Sequence, residues 1–596
     1  MPDYLRTHRC GDLTASNIKQ VVSLSGWVHR RRDHGGLIFI DLRDRFGITQ
    51  LLFDPKINIQ SHEEASKLRS EWVISVQGTV IARAPAMKNL KISTGEIELE
   101  VFHLNLLSSA KTPPFSISED ELDVKEELRL KFRYLDIRRG LVAKNLILRH
   151  NAMKIIRNFM DSHDFLEITT PILGKSTPEG ARDYLVPSRI YPGNVYALPQ
   201  SPQIFKQLLM IAGMDRYFQI APCFRDEDLR SDRQPEFTQI DLEVSFETPD
   251  TLMYLLEQLV TTLFNSTIDK KITTPFLRMS HKEALELYGT DRPDLRFGMP
   301  LTRIDDIILQ SQFEILKEQL ALGGIVKVLC VPNGGALSRK EIDDLILFVK
   351  QFGLQGLAWM KRQEDGMSSN IVKFFSEKLL LELIEKAFIG IGDLLLIAAG
   401  PETKVNQALD HLRRKLAKDL GLISSDNYQF LWIVDFPLLK WNSEESRLES
   451  EHHPFTAPHP EDLLLLNTAP LQVRALAYDL ILNGYEIGGG SQRIHCNDLQ
   501  EKIFSILNIP EKEIKLRFGF FIEALKYGTP PHLGFAFGLD RILMILAGTD
   551  NIRDVIAFPK TQKASDLMLQ APSLYTKCQL TELKLIPTKS DEITWM

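Results

Sequence analysis

Between positions 224 and 241 the chain reads FRDEDLRSDRQPEFTQID, with three arginines and six acids crowded between strand-like apolar stretches. That is more charge than a connection needs in order to fold. The guanidinium of Arg225 is a rigid fork suited to phosphate oxygens, and Phe237 offers a ring face for a base. The alternative is a salt-bridged surface hairpin. A second cluster, GFAFGLDR at 534–541, combines glycines that allow close backbone approach with Arg541 at a helix start, where anions are welcome. A third, NGYEIGGGSQR at 483–493, joins Glu486, a triple glycine and Arg493, and Asp479 lies seven residues before Glu486. Asp479 and Glu486 are two hard oxygen donors that suit Mg2+. In the fourth, EHHPFTAP at 451–458, His452 and His453 precede a proline. They read as a loop over a site, since no further ligands stand at zinc spacing.

These residues need elements to hold them. Stretches 21–28, 37–42, 48–53, 72–83 and 97–107 are rich in β-branched and aromatic residues and bounded by Gly, Asp or Pro. A helical stretch at 62–68 falls between the third and fourth. Five strands with a helix in that gap is the order of an OB-fold barrel, which commonly binds single-stranded nucleic acid. Residues 108–120 contain two prolines and several serines and read as a linker. A basic helical segment is expected over 124–139 and an amphipathic helix over 144–160, with Leu146, Met153, Ile156 and Met160 on one face. A strand over 165–170, closed by Pro171, follows. Within 296–430, strands at 325–331, 356–360 and 394–399 alternate with helices at 339–352, 377–388 and 404–420, an α/β insertion with its own core.

The bulk numbers agree. At 596 residues the chain is too long for one core, so three or four domains are expected. Hydrophobic residues at 44% and charged residues at 25% are ordinary for globular proteins. Apolar runs fall short of a membrane span, and the N-terminus has no apolar h-region, so a soluble cytoplasmic protein with no membrane partner is expected. The five cysteines are scattered and form no CxxC pair, which argues against a disulfide framework. A net charge of −7 does not exclude nucleic acid, because a local basic stripe suffices. Candidate stripes are His29–Arg32 and the set Lys131, Arg133, Arg138 and Arg139; each alone reads as a solvated face.

The strand closed by Pro171, the charged hairpin and the GLDR turn resemble motifs 1, 2 and 3 of class II aminoacyl-tRNA synthetases, in that order. The stretches PEGARDYLVPSR (178–189), QSPQIFKQLLM (200–210), HHPFTAP (452–458) and GYEIGGGSQRIH (484–495) resemble the bacterial-type aspartyl members in particular. The resemblance covers nearly the whole chain. It implies an α+β multidomain protein: an OB-fold anticodon-binding domain (1–108), a linker or hinge (109–140), a class II antiparallel-sheet catalytic domain (141–295 and 431–596) and the α/β insertion (296–430). It also implies an enzyme that activates L-aspartate with ATP and transfers it to tRNA.

The same resemblance assigns expected roles. Arg225 and Arg541 carry catalysis by holding phosphates, with Asp226, Glu227, Gln234, Phe237, Glu486, Gly538, Leu539 and Asp540 around ATP. Glu179, Ser201, Gln203, Lys206, Asp241, His452 and Arg493 surround aspartate, together with Arg225. Lys206 and Arg493 meet its β-carboxylate while Asp241 holds Lys206. Taken singly, Lys206 reads as a surface lysine and Arg493 as a strand-end ion pair. Mg2+ falls to Asp479 and Glu486. The anticodon falls to Arg32, His34, Phe39, Gln50, Ala86 and Glu98, and motif 1 implies a homodimer. Histidine at position 34 and a small residue at 86 resemble members that charge both tRNA-Asp and tRNA-Asn. Strict tRNA-Asp specificity, asparaginyl or lysyl specificity, and a non-catalytic RNA-binding relative stand as alternatives. Since a carboxylate attacks phosphorus in the activation step, catalysis is expected to rest on positioning and charge neutralisation, with no covalent enzyme intermediate.

Overall fold

The computed structural model describes residues 4–117, 123–176, 180–229 and 231–585. It divides into two compact units, one of Met1–Arg149 with Arg553–Leu574, the other of His150–Ile552 with Tyr575–Met596.

In the first unit, strands Val21–His34, Leu37–Asp44, Gly47–Phe53, Val73–Ala82 and Ile97–Ser108 close into a barrel. Alternate residues such as Leu24, Val28, Ile40, Leu51, Val76 and Leu99 are wholly buried inside it, each worth roughly 1.5–3 kcal/mol relative to exposure. Closure comes from a parallel pairing, Leu51 opposite Leu99, between the third and fifth strands. The helix Ile59–Lys67, capped by Asn58, fills the expected gap. The first two strands join through Gly35 and Gly36, both at positive φ, where a β-carbon would be strained.

The basic segment at 124–139 departs from expectation twice. It breaks at Phe132 into two short helices, Glu126–Lys131 and Arg133–Asp136. Its arginines also turn inward instead of forming a solvated or phosphate-binding face. Arg133 is buried and donates to the carbonyls of Arg553, Ile556 and Ala557 and to Asp136. Arg129 pairs with Asp136 and Asp554. Arg138 lies over Trp27 and reaches Glu71, which also pairs with Arg43. Asp136 pairs locally, but Asp554, Glu71 and the carbonyls of 553–557 are distant in sequence, so a local reading could not supply them.

The second unit is built on an eight-stranded, mostly antiparallel sheet in the order Leu277–Ser280, Phe430–Val434, Ala477–Leu482, Tyr485–Gln492, His532–Gly538, Glu236–Ser245, Arg216–Phe224, Leu166–Glu167. Helix Pro249–Ile268 packs Leu252, Leu256, Leu259 and Leu263 inward, and Glu257 accepts the indole N–H of the buried Trp432 at 2.9 Å. The expected helix over 144–160 runs from Gly140 to Asp161. The strand expected over 165–170 shrinks to Leu166–Glu167, because the Thr170 amide bonds the Gln219 side chain rather than a ladder carbonyl.

Residues 301–400 contribute a separate five-stranded sheet, ordered Leu301–Arg303, Ile325–Val331, Leu394–Gly400, Ala358–Gln363, Gly366–Ser368. Its two central strands are buried on both faces between helices, the pattern of a near-continuous apolar run. Among the described residues no helix is long and apolar enough to cross a membrane.

Candidate active site

The sheet of the second unit floors a cavity of about 470 Å³. Strand Glu236–Ser245 sets Asp241 and Glu243 on one face by the two-residue period of a strand. Helix Gln203–Ile211 lays Lys206 across them: Nζ donates to Asp241 Oδ1 at 2.7 Å and stands 3.3 Å from Glu243 Oε2. From the next turn of chain after strand Tyr485–Gln492, Arg493 donates Nε to Glu243 Oε1 at 2.9 Å and Nη2 to Oε2 at 3.2 Å. Its Nη1 meets His453 Nε2 at 2.8 Å. All four charged groups are essentially sealed from water. Gly534 permits this, since a β-carbon there would lie 1.7 Å from Glu243 Oε2.

The electrostatics follow from burial. Burial pushes the Asp241 carboxyl up to about 6, with Lys206 pulling the other way. Burial also acts on Glu243, but Arg493 and Lys206 outweigh it and hold that carboxyl below its usual range. Both are therefore anionic at neutral pH. Asp241 Oδ2 and Gln203 Nε2 are buried with no hydrogen-bond partner among the described residues, two polar atoms left for a ligand.

At the other end, the Arg225 guanidinium lies 5.1 Å from the centre of the Phe237 ring. Arg541, in the first turn of helix Leu539–Leu546, reaches Asp232 at 3.2 Å and donates to the Glu486 carbonyl. The Nε atoms of Arg225 and Arg541 are buried without a partner among the described residues. Unsatisfied arginine donors in a cleft suit an anion. Glu227 is engaged with Arg233 at 3.2 Å, and Asp540 accepts the Thr238 amide at 2.7 Å, tying the helix start to the strand.

Asp479 and Glu486 line the same cavity on neighbouring strands. Burial, then the Glu486 charge, drives the Asp479 carboxyl well above its usual range. A β-carbon at Gly489 would sit 2.4 Å from Asp479 Oδ1, so the glycine clears its space. Two carboxylates that repel in one pocket fit a divalent cation, which would relieve the repulsion. His452 Nε2 is 4.0 Å from Asp479. Burial, with His281 and Arg493, lowers its imidazole to about 4, so it is neutral at pH 7.

The cavity thus gathers most of the expected residues: Ser201, Gln203, Lys206, Asp241, His452 and Arg493; Arg225, Glu227, Gln234 and Phe237; Asp479, Glu486, Gly538, Asp540 and Arg541. Two do not line it. Asp226 is exposed, its backbone bridged to Arg182, and the Leu539 side chain is wholly buried in apolar surroundings. Glu179 lies outside the described residues. Asp232, Asp291 and His453, to which no role was assigned from the sequence, also line the cavity, and Glu243, likewise unassigned, pairs with Lys206 and Arg493 beneath it. The signal for Glu243 was its two-residue spacing from Asp241, and Asp232 and His453 stood inside the charged hairpin and the histidine loop; Asp291 gave none.

On the barrel, Arg32 pairs with Asp41 at 2.8 Å and Gln50 at 3.2 Å, and Gln50 donates to Glu98 at 2.7 Å. Phe39 stands opposite Arg32 across the ladder. His34 is exposed at the hairpin end, and Ala86 is exposed in the short helical turn Pro85–Met87.

Comparison with known proteins agrees with this geometry. Residues 125–562 match the family model of tRNA synthetases class II (D, K and N), and residues 22–107 that of the OB-fold nucleic acid binding domain. A Protochlamydia amoebophila protein named Aspartate--tRNA(Asp/Asn) ligase is 60% identical over 100% of this chain and 99% of its own length. One of the same name from Chlamydia caviae is 56% identical over 97% and 99%. The crystal structure of Pyrococcus horikoshii asparaginyl-tRNA synthetase with asparaginyl-adenylate superposes with a TM-score of 0.60 at 19% identity, covering 93% of this chain and 98% of that one. With its barrel, its sheet and its cavity accounted for, this chain belongs to the class II tRNA synthetases of the D, K and N group.

Proposed function

We propose that the chain is an aspartate–tRNA ligase that activates L-aspartate with ATP and loads it onto both tRNA-Asp and tRNA-Asn. The observation that carries the amino-acid assignment is the sealed set of Lys206, Arg493, Asp241 and Glu243. Two buried cations beside one cavity favour a carboxylate side chain, which can accept charge-assisted hydrogen bonds from both, whereas a neutral amide forgoes part of them. The names of the two chlamydial relatives support the double tRNA specificity, as do His34 and Ala86.

In this reading Arg225 and Arg541 neutralise the anions that must meet, while Phe237 stacks on the base and Ser201 and Gln203 orient the amino end. Neutral His452 closes the pocket as a hydrogen-bonding group rather than a cation. Asp479 and Glu486 would hold Mg2+, which supplies charge neutralisation at the phosphates. The barrel (1–108) reads the anticodon through Arg32, Phe39, Gln50 and Glu98. Residues 109–140 serve as hinge, 141–295 with 431–596 as catalytic domain and 296–430 as insertion. The enzyme acts in the cytoplasm as a homodimer, a reading supported by the two-residue edge strand Leu166–Glu167 beside exposed Ile172 and Leu173. A purely monomeric species in analytical ultracentrifugation at micromolar concentration would remove the dimer.

The test of function is aspartylation of purified tRNA-Asp and tRNA-Asn. Similar charging of both is expected. Charging of tRNA-Asp alone would leave a strict enzyme and discard the double specificity.

A further inference from the structure

Helix His281–Tyr288 and the segment that follows it reach the cavity at both ends. At the near end the His281 ring lies 5.0 Å from that of Phe436, and Phe436 lies 4.8 Å from His452. At the far end Asp291 lines the cavity itself. At the helix end and just beyond Asp291 the stretch is gripped by residues of the α/β insertion. Arg413, wholly buried on helix Glu402–Asp419, donates Nε to the Met299 carbonyl at 3.1 Å. Its Nη2 serves the carbonyls of Asp294, Phe297 and Gly298 at 2.7, 3.1 and 3.0 Å. The guanidinium sits between the rings of Tyr288 and Phe297, at 4.7 and 4.3 Å. Arg414 donates to the Arg292 carbonyl at 3.1 Å. Lys327, equally buried, caps the last turn of the helix through the carbonyls of Leu285 and Glu286 at 3.0 and 2.8 Å. A β-carbon at Gly289 would lie 2.5 Å from the Asn406 carbonyl, so the insertion packs directly on the helix end.

Burying a charge among carbonyls is costly when an apolar side chain could fill the same volume. What the cations supply, and an apolar residue would not, is a fixed backbone path for 292–299. Burial lowers Arg413 only to about 10, so it keeps its charge at neutral pH.

We propose that Arg413, Arg414 and Lys327 are positioning residues through which the insertion sets the amino-acid end of the active site, by fixing Asp291 and the Phe436–His452 wall. The proposal rests on the reading that this cavity activates aspartate. It gives the insertion a part in the activation step, separate from tRNA contact.

The test is aspartate-dependent ATP–pyrophosphate exchange by the full-length protein, with thermal unfolding followed in parallel. Arg414→Ala, made together with Asp410→Asn so that the buried carboxyl it pairs with at 2.8 Å is not stranded, should raise the aspartate KM roughly tenfold while leaving the ATP KM and Tm nearly unchanged. Asp291→Asn should do the same, and the two changes combined should be no worse than the stronger one alone, because both act through one segment. Arg413→Lys should restore part of what Arg413→Met loses. Lys386→Ala, which breaks an exposed insertion ion pair with Asp306, should leave the aspartate KM unchanged. The inference is overturned if the gripping variants lower Tm but keep the aspartate KM within about twofold of wild type, or if their effects add to that of Asp291→Asn. A wild-type protein without aspartate-dependent exchange would overturn the functional reading itself, and the inference with it.

Discussion

The cavity and the barrel face both set arginine beside carboxylate, but in opposite media. Lys206 and Arg493 meet Asp241 and Glu243 at side-chain exposures of 3% or less, whereas Arg32 meets Asp41 at exposures of 45% and 18%. A buried ion pair is expensive to break, because the abandoned partner keeps its charge in a poor solvent. An exposed pair is worth about 0–1 kcal/mol and can be exchanged for a base edge at little cost. That contrast fits the proposed function, in which the amino acid is chosen strictly and the tRNA leniently. The two recognition sites discriminate with different energies.

The largest effects should therefore lie in the cavity. Arg225→Gln should lower pyrophosphate exchange by roughly a thousandfold or more, since the charge it removes is needed only where anions meet. Circular dichroism and Tm should stay close to wild type; a variant that keeps exchange within tenfold would mean the phosphates lie elsewhere. Next comes Glu243→Gln, which strands Arg493 in the interior while Lys206 keeps Asp241. It should cost about 3–5 kcal/mol of stability by urea unfolding. A cost under 1 kcal/mol would show that this network is not sealed and would erase the contrast with the barrel.

On the barrel the effects should be smaller and confined to RNA. Phe39→Ala should weaken tRNA charging by the roughly 1–3 kcal/mol of one lost base stack and leave pyrophosphate exchange intact. Equal loss in both assays would place the anticodon elsewhere. The smallest change is His34→Leu. An exposed imidazole can donate or accept, so it tolerates either base edge, and leucine can do neither. The ratio of tRNA-Asn to tRNA-Asp charging should fall several-fold, and an unchanged ratio would remove His34 from tRNA choice.

The legibility of the sequence divides along similar lines. The barrel strands follow a two-residue alternation, so their order and even the helix Ile59–Lys67 could be read locally. The cavity residues stand in compact motifs whose residue types already suggest phosphate and metal chemistry. Illegible were the pairings made across long separations. Glu243 reads as one more strand residue until Arg493, 250 positions later, is laid beside it. The basic segment 124–139 looks like a phosphate-binding face until residues 553–557 supply carbonyls and an acid. Asp291 is an ordinary loop acid until the insertion holds its loop against the cavity. Position in a motif is a local property, whereas compensation of a buried charge is not.

In the proposed function the buried cations Lys206 and Arg493 select a carboxylate side chain. That selection is tested most directly by ATP–pyrophosphate exchange with purified protein and aspartate, asparagine or lysine as the only amino acid. Exchange with aspartate is expected, with kcat/KM for asparagine and lysine lower by at least about a hundredfold. Comparable exchange with asparagine would contradict it.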